Sequence, residues 1–401
     1  MKRLSFLLIN MIYYAQLCLL PIVLASVGAA SRSSGDLREE NSSCSQPVYY
    51  TEGGNDTIFV GCPRGKLTVS PWDPPKIDAK YLFFNEANQM NASYILPWNH
   101  SFELDEMPRC RENETIIAII HGYTETSDEP WISSLRRSFL RRSLPNQVTV
   151  VAVDWRFAAR GDTRSQLFNY VQAASNVAMM GRVSAEFFAR LLKSCSLNER
   201  SLHLVGHSLG AQVVGKLASW IHKVHGIIPE KVTALDPAVV LFPRTHPNRQ
   251  DTHFLLALHT SARPSVLATA AGAVGVFEAF GDVDLYPNGG VILQPACRGN
   301  NTFFCSHRRA YIYYTDMVAH CNDQCDFSGE LCETPTQAQR GTCNQGRING
   351  VCTFINRQAD NLLNENQHAD VQRSSSIIYF TTNMDNLKIR CNRRSNEQGR
   401  G

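Results

Sequence analysis

His203-Leu204-Val205-Gly206-His207-Ser208-Leu209-Gly210-Ala211 is the stretch whose reading decides the fold. An apolar run ends there in Gly206-x-Ser208-x-Gly210, and an apolar segment without proline, Ala211 to Ile221, follows and closes near Gly226. Strand, serine-bearing turn and helix in that order form a nucleophile elbow. The requirement is steric. A serine on so tight a turn takes a strained backbone conformation, and glycines such as Gly206 and Gly210 let strand and helix approach without a clash. The G-x-S-x-G pattern alone is a common chance match; the strand before it and the helix after it make it specific. The start of that helix also aims free N–H groups at developing negative charge.

Outward from the elbow, Thr115 to Ile120 and Val148 to Val153 are short β-branched runs, the pattern of central strands covered on both faces. Lys231 to Leu235 and Phe254 to Leu258 supply two more strands, and Ile377 to Phe380 a late one. Ser165 to Lys193 is helical in character, with Gly181 as a candidate internal break, and Ala310 to His320 is helical again. Strands alternating with helices predict an α/β fold with a mostly parallel central sheet covered by helices on both faces.

A nucleophile elbow calls for an acid and then a histidine, in the order Ser, Asp, His. Thr233-Ala234-Leu235-Asp236-Pro237-Ala238 delivers the acid at a strand end, 28 residues after Ser208. An ordinary Asp-Pro turn is the plainer account of Asp236, and it yields only because histidines follow. Of these, His246 and His253 lie in the approach to a strand, and His259 closes that strand, in the position of a residue packed into a layer. His307, in Cys305-Ser306-His307-Arg308, sits on a short Cys-flanked loop that holds a base rigidly above the strand ends. The oxyanion hole needs two backbone N–H groups. Leu209, the residue after the nucleophile, is one candidate, and Tyr123, after the strand-ending His121-Gly122, is the other.

These blocks, together with Asp154-Trp155, Leu258-His259-Thr260 and Asp284-Leu285-Tyr286-Pro287-Asn288-Gly289-Gly290, resemble in order the pancreatic-lipase family of secreted α/β-hydrolases, over about residues 66 to 385. The resemblance implies hydrolysis of lipid acyl esters. It makes Ser208 the nucleophile, His307 the general base and then acid, Asp236 the residue that orients His307, and Leu209 and Tyr123 the oxyanion donors.

Departures from the family pattern refine the expectation. Triacylglycerol lipases of the family carry a long lid between two cysteines before the histidine; here Cys297 and Cys305 enclose only seven residues. A lid that short resembles the family's phospholipases A1, so a phospholipid is the expected substrate. Phe303 and Phe304 suit either dipping into a lipid interface or packing under the loop. Of the aspartates that hold calcium in some members only Asp251 matches, so no metal and no cofactor is expected. Cys321-x-x-x-Cys325 fits disulfides better than zinc in a secreted chain. Only 94 residues follow His307, too few for the family's lipid-binding β-sandwich, and no colipase-type partner is expected. The alternatives are a triacylglycerol lipase with a reduced lid and a non-catalytic, yolk-type lipid-binding protein on the same fold.

The remaining composition agrees. Of 401 residues 43% are hydrophobic and 19% charged, as in an ordinary globular protein, and the formal charge is +3. No Arg/Lys run is interleaved with aromatics, so no nucleic-acid partner is expected. Residues 1–30 read as a secretory signal peptide: Lys2-Arg3, an apolar stretch through Ala25, then small residues to Ala30. An uncleaved anchor is the alternative. Beyond the leader twelve cysteines remain, and six Asn-x-Ser/Thr sequons begin at Asn41, Asn55, Asn91, Asn99, Asn113 and Asn300; both fit an extracellular, disulfide-bonded glycoprotein. Residues 31–75 read as an N-terminal segment tied by Cys44 and Cys62, residues 76–391 as one α/β-hydrolase lipase domain, and residues 392–401 as a flexible tail.

Overall fold

The structure is a computed structural model that describes residues 48–52, 56–61, 69–100, 110–142, 147–242, 245–262, 272–298, 304–321, 325–356, 375–382 and 390–391. The leader, Cys44, Cys62, Phe303, the tail and the sequons at Asn41, Asn55 and Asn300 lie outside those residues. In chain order the strands are β1 (Val48–Glu52), β2 (Asp56–Gly61), β3 (Lys80–Phe84), β4 (Tyr94–Pro97), β5 (Thr115–Ile120), β6 (Val148–Asp154), β7 (Leu202–His207) and β8 (Lys231–Leu235). They continue with β9 (Phe254–Leu258), β10 (Val283–Pro287), β11 (Cys325–Asp326), β12 (Gly329–Cys332), β13 (Arg347–Ile348), β14 (Ser376–Phe380) and β15 (Arg390–Cys391).

Eleven of these form one sheet in the order β13-β12-β14-β10-β9-β8-β7-β5-β6-β3-β4. From β14 to β6 all neighbours are parallel, while β3, β4, β12 and β13 extend the two edges antiparallel. The wholly apolar strands follow from double coverage. In β5, Ile116, Ala118 and Ile120 join the core formed with Phe187 and Phe188 of helix Gln166–Ser194 and Leu217 of helix Leu209–His225. Ile117 and Ile119 point the other way, to the core with Ile132 and Leu135 of helix Pro130–Arg142 and Tyr313 and Met317 of helix Cys305–His320. This is the α/β-hydrolase architecture, and it brings the C-terminal ends of the parallel strands to one edge.

Two details differ from the sequence reading. Helix Gln166–Ser194 runs unbroken through Gly181. There a Cβ would lie 3.0 Å from Leu217 N, so the glycine allows two helices to pack closely instead of breaking one. The helix after the second cysteine of the short loop begins at Cys305, not near Ala310, because no breaker intervenes; His307 therefore sits in its first turn.

Disulfides join Cys110 to Cys195, Cys297 to Cys305, Cys321 to Cys352 and Cys332 to Cys343. The second closes the short loop before His307. Asn91, Asn99 and Asn113 are all exposed. Among the described residues no helix is long and apolar enough to cross a membrane.

Candidate active site

β7 ends at His207, helix Leu209–His225 begins at Leu209, and Ser208 between them takes φ 58° and ψ −121°. A positive φ at a non-glycine residue is strain of order 1–3 kcal/mol that the surroundings must impose. They do so by close packing. A Cβ on Gly206 would lie 2.7 Å from Ala211 N, one on Gly210 would lie 2.8 Å from the Ile120 carbonyl carbon, and one on Gly122 would lie 2.8 Å from Ser208 Cβ. Ser208 N donates to the Leu235 carbonyl at 3.1 Å, and its own carbonyl accepts Ala238 N at 3.2 Å. The turn is thereby tied to the end of β8.

Asp236 follows β8 directly, fully buried and with φ 46°. Four donors converge on its carboxylate: Thr260 N at 2.9 Å and Ser261 N at 3.1 Å on Oδ1, with Ser261 Oγ and His307 Nδ1 on Oδ2, the last at 2.6 Å. Burial alone would raise its pKa. The hydrogen bond and charge of His307, aided by Ser261 and Thr260, more than offset that and hold the carboxyl below its ordinary range. His307 moves down as well, pushed by burial and by the neighbouring His207 against the opposing pull of Asp236. An imidazole so placed is neutral at neutral pH, with Nδ1–H fixed on Asp236.

His307 and Ser208 line one cleft of about 180 Å³. No hydrogen bond joins the two side chains among the described contacts. The cleft is largely apolar, walled by Tyr123, Leu167, Tyr170, Val240, Val274 and Phe304. Phe304 is half-buried, its ring 6.2 Å from that of His307. Leu209 opens its helix, so its N–H has no partner within it. The loop after β5 brings Gly122 and Tyr123 to the same cleft. It is held by Trp155, whose indole N–H donates to the His121 carbonyl at 2.9 Å.

His259, the rival base, faces away from this site. It is fully buried and stacked on Tyr286, with Nδ1 on the Val276 carbonyl at 2.9 Å and Nε2 on Asp284 at 2.8 Å. Asp251, the residue at the calcium position, is engaged by His222 at 3.0 Å. Among the described residues no three His, Cys, Asp or Glu side chains converge as a metal site.

Sequence reasoning passed over several contributors. Ser261 immediately follows the Leu258-His259-Thr260 block and supplies two of the donors to Asp236. Gly275 lies against the same carboxylate, where a Cβ would sit 2.8 Å from Asp236 Cγ. Glu125 and His207, both lining the cleft, were also missed. Their signal was position alone: two residues after Tyr123, and the variable residue beside the nucleophile.

Comparison with known proteins adds to this. A family model described as Lipase matches residues 48–376. The chain is 26% identical over 305 residues to the pancreatic triacylglycerol lipase of Sus scrofa, covering 70% of this chain and 61% of that one. It is 27% identical over 300 residues to the inactive pancreatic lipase-related protein 1 of Homo sapiens, covering 66% and 58%. The chain thus spans about three-fifths of the length of the curated relatives it matches. Among solved structures, TT1662 from Thermus thermophilus overlaps in part, with a TM-score of 0.26 and 18% identity over 45% of this chain and 68% of that one.

Proposed function

This chain belongs to the pancreatic-lipase family, and from that premise we propose that it is a serine hydrolase of lipid carboxylic esters. The observation that carries the reading is the His307–Asp236 pair buried at the back of an apolar cleft that also holds Ser208. Ser208 Oγ attacks the ester carbonyl carbon while His307 Nε2 takes its proton. The N–H groups of Leu209 and Tyr123 receive the oxyanion. The tetrahedral intermediate collapses, His307 hands the proton to the departing alcohol oxygen, and an acyl-enzyme on Ser208 remains. Water, deprotonated by His307, then releases the fatty acid. One relative is named inactive, which favours a non-catalytic reading; the presence of Ser208, Asp236 and His307 together speaks against it here.

Within lipids we propose phospholipase A1-type cleavage. Two features support it. The disulfide loop Cys297–Cys305 encloses only seven residues, a short lid that resembles those of the family's phospholipases A1. Arg308, exposed on the cleft wall beside His307, makes no ion pair with any described residue, although Glu129 senses its charge. A guanidinium there suits a phosphodiester and would be costly to cover with a neutral triacylglycerol. The names of the relatives favour the other reading, triacylglycerol hydrolysis. The deciding assay offers phosphatidylcholine of mixed chains and triacylglycerol emulsions side by side. Release of the sn-1 acid from the phospholipid is expected, and cleavage of triacylglycerol alone overturns the phospholipase reading.

We further propose that the protein is secreted, with residues 1–30 removed and exposed sequons glycosylated. It would meet its substrate at lipid surfaces, to which Phe157 and Phe168, each near the start of a helix, and Leu293 offer exposed apolar side chains. No cofactor and no colipase-type partner enters this proposal.

A further inference from the structure

On the cleft wall, one half-buried carboxylate touches both halves of the proposed machinery. Glu125 Oε2 accepts the Gly122 N–H at 2.8 Å, in the loop that presents Tyr123. The same oxygen lies 3.5 Å from His207 Nδ1. On the far side of that ring His207 Nε2 donates to the His307 carbonyl at 3.2 Å. His207 is almost wholly buried and has no freedom to turn: its ring meets Trp131 at 5.8 Å and Tyr311 at 4.8 Å, both edge-on, and lies 4.6 Å from the His307 ring. Trp131 and Tyr311 themselves stack at 4.8 Å. The imidazole is therefore held between a carboxylate and a carbonyl, one against each ring nitrogen.

We propose that Glu125 and His207 form a positioning pair that couples the oxyanion loop to the catalytic histidine. The inference rests on the hydrolase reading above. Glu125 holds the Gly122–Tyr123 segment in the orientation that turns the Tyr123 N–H toward the cleft. Through His207 it also anchors the His307 backbone, on the side opposite the anchor that Asp236 provides on the ring. A displacement of about 1 Å in either group is enough to lose much of the rate. Glu125 stays ionised in this role: burial would raise its pKa, but the charge and hydrogen bond of His207 and the Gly122 N–H bring it down to about 2.

The test uses Glu125→Gln, His207→Asn and the double variant in the full chain, assayed on p-nitrophenyl butyrate. Active sites are counted by stoichiometric p-nitrophenyl phosphonate labelling of Ser208. Glu125→Gln keeps the shape but removes the charge, and it is expected to lower kcat per labelled site about 10- to 100-fold with KM within about twofold. Because the two residues act as one unit, the double variant should lose no more than the worse single one. Should Glu125→Gln not fold, His207→Asn with Glu125→Asp replaces it in the same cycle. Wild-type kcat in folded Glu125→Gln, a change in KM alone, or additive losses each overturn the proposal while leaving the hydrolase reading intact. A wild-type protein that neither takes the phosphonate label nor cleaves any carboxylic ester overturns both.

Discussion

Among the described residues the His307–Asp236 and His259–Asp284 pairs are both buried and built to the same plan, and only the first faces the cleft. Asp236 receives Thr260 N, Ser261 N, Ser261 Oγ and His307 Nδ1. Asp284 receives Phe280 N at 3.1 Å, Gly281 N at 2.9 Å, Ser375 Oγ at 2.5 Å and His259 Nε2 at 2.8 Å. Each carboxylate is thus clamped by two backbone amides, one serine hydroxyl and one imidazole. What differs is the far edge of the ring. His259 spends its second nitrogen on the Val276 carbonyl under a stacked tyrosine, whereas the remaining edge of His307 opens on the cleft that holds Ser208. Clamping a histidine is a general way to brace a strand end; chemistry requires that one nitrogen be left uncommitted.

That contrast is most sharply broken at Ser208. Ser208→Ala removes a single oxygen, so the fold should survive while ester hydrolysis falls by about 10⁴-fold or more. Turnover near the wild-type value on a soluble ester would remove the elbow from the chemistry altogether. The paired isosteric changes come next. Asp236→Asn should lower kcat by about 10⁴-fold, through the loss of the hydrogen bond that fixes the His307 tautomer, and, as a clamped buried carboxylate is lost, should also cost about 3 kcal/mol of stability. Asp284→Asn should cost a similar amount of stability by breaking its buried pair, while the folded fraction keeps kcat within a few-fold. If Asp284→Asn abolished catalysis in folded protein, the division of labour drawn here would fail.

Both the division and its limits were partly legible in the sequence. The elbow, the strand runs around it and the Asp236-Pro237 turn are local patterns: each needs only the spacing of apolar, glycine and acidic residues along a few positions. His307 was placed by its disulfide loop, although the helix proved to start before it, because nothing between Cys305 and Ala310 stops a helix. The contacts that passed unread join residues far apart in the chain. Glu125 and His207 are 82 positions apart, and Asp236 and Ser261 are 25 apart, meeting only because β5, β7, β8 and β9 lie side by side in the sheet. The antiparallel edge strands β3 and β4 were likewise missed. Tyr94 and Ile95 of β4 are exposed at the sheet's end, so no clean alternation of buried and exposed residues marks it.

The smallest expected effect, a shift in pH dependence, probes the open edge of His307 directly. A general base works only when unprotonated, so kcat/KM on a neutral soluble ester should rise with pH through the His307 pKa and then level off. Burial and the adjacent His207 outweigh Asp236 and Glu125, so that rise should be centred below the ordinary imidazole value of 6.5. The sign is testable in a second way. Asp236 stabilises the protonated ring, so removing its charge in Asp236→Asn should move the rise in the residual activity to still lower pH. A midpoint above 6.5 in the wild type would mean that the carboxylates, and not the desolvated cleft, govern the base, whereas an upward shift in Asp236→Asn would mean that Asp236 does not stabilise the protonated ring at all.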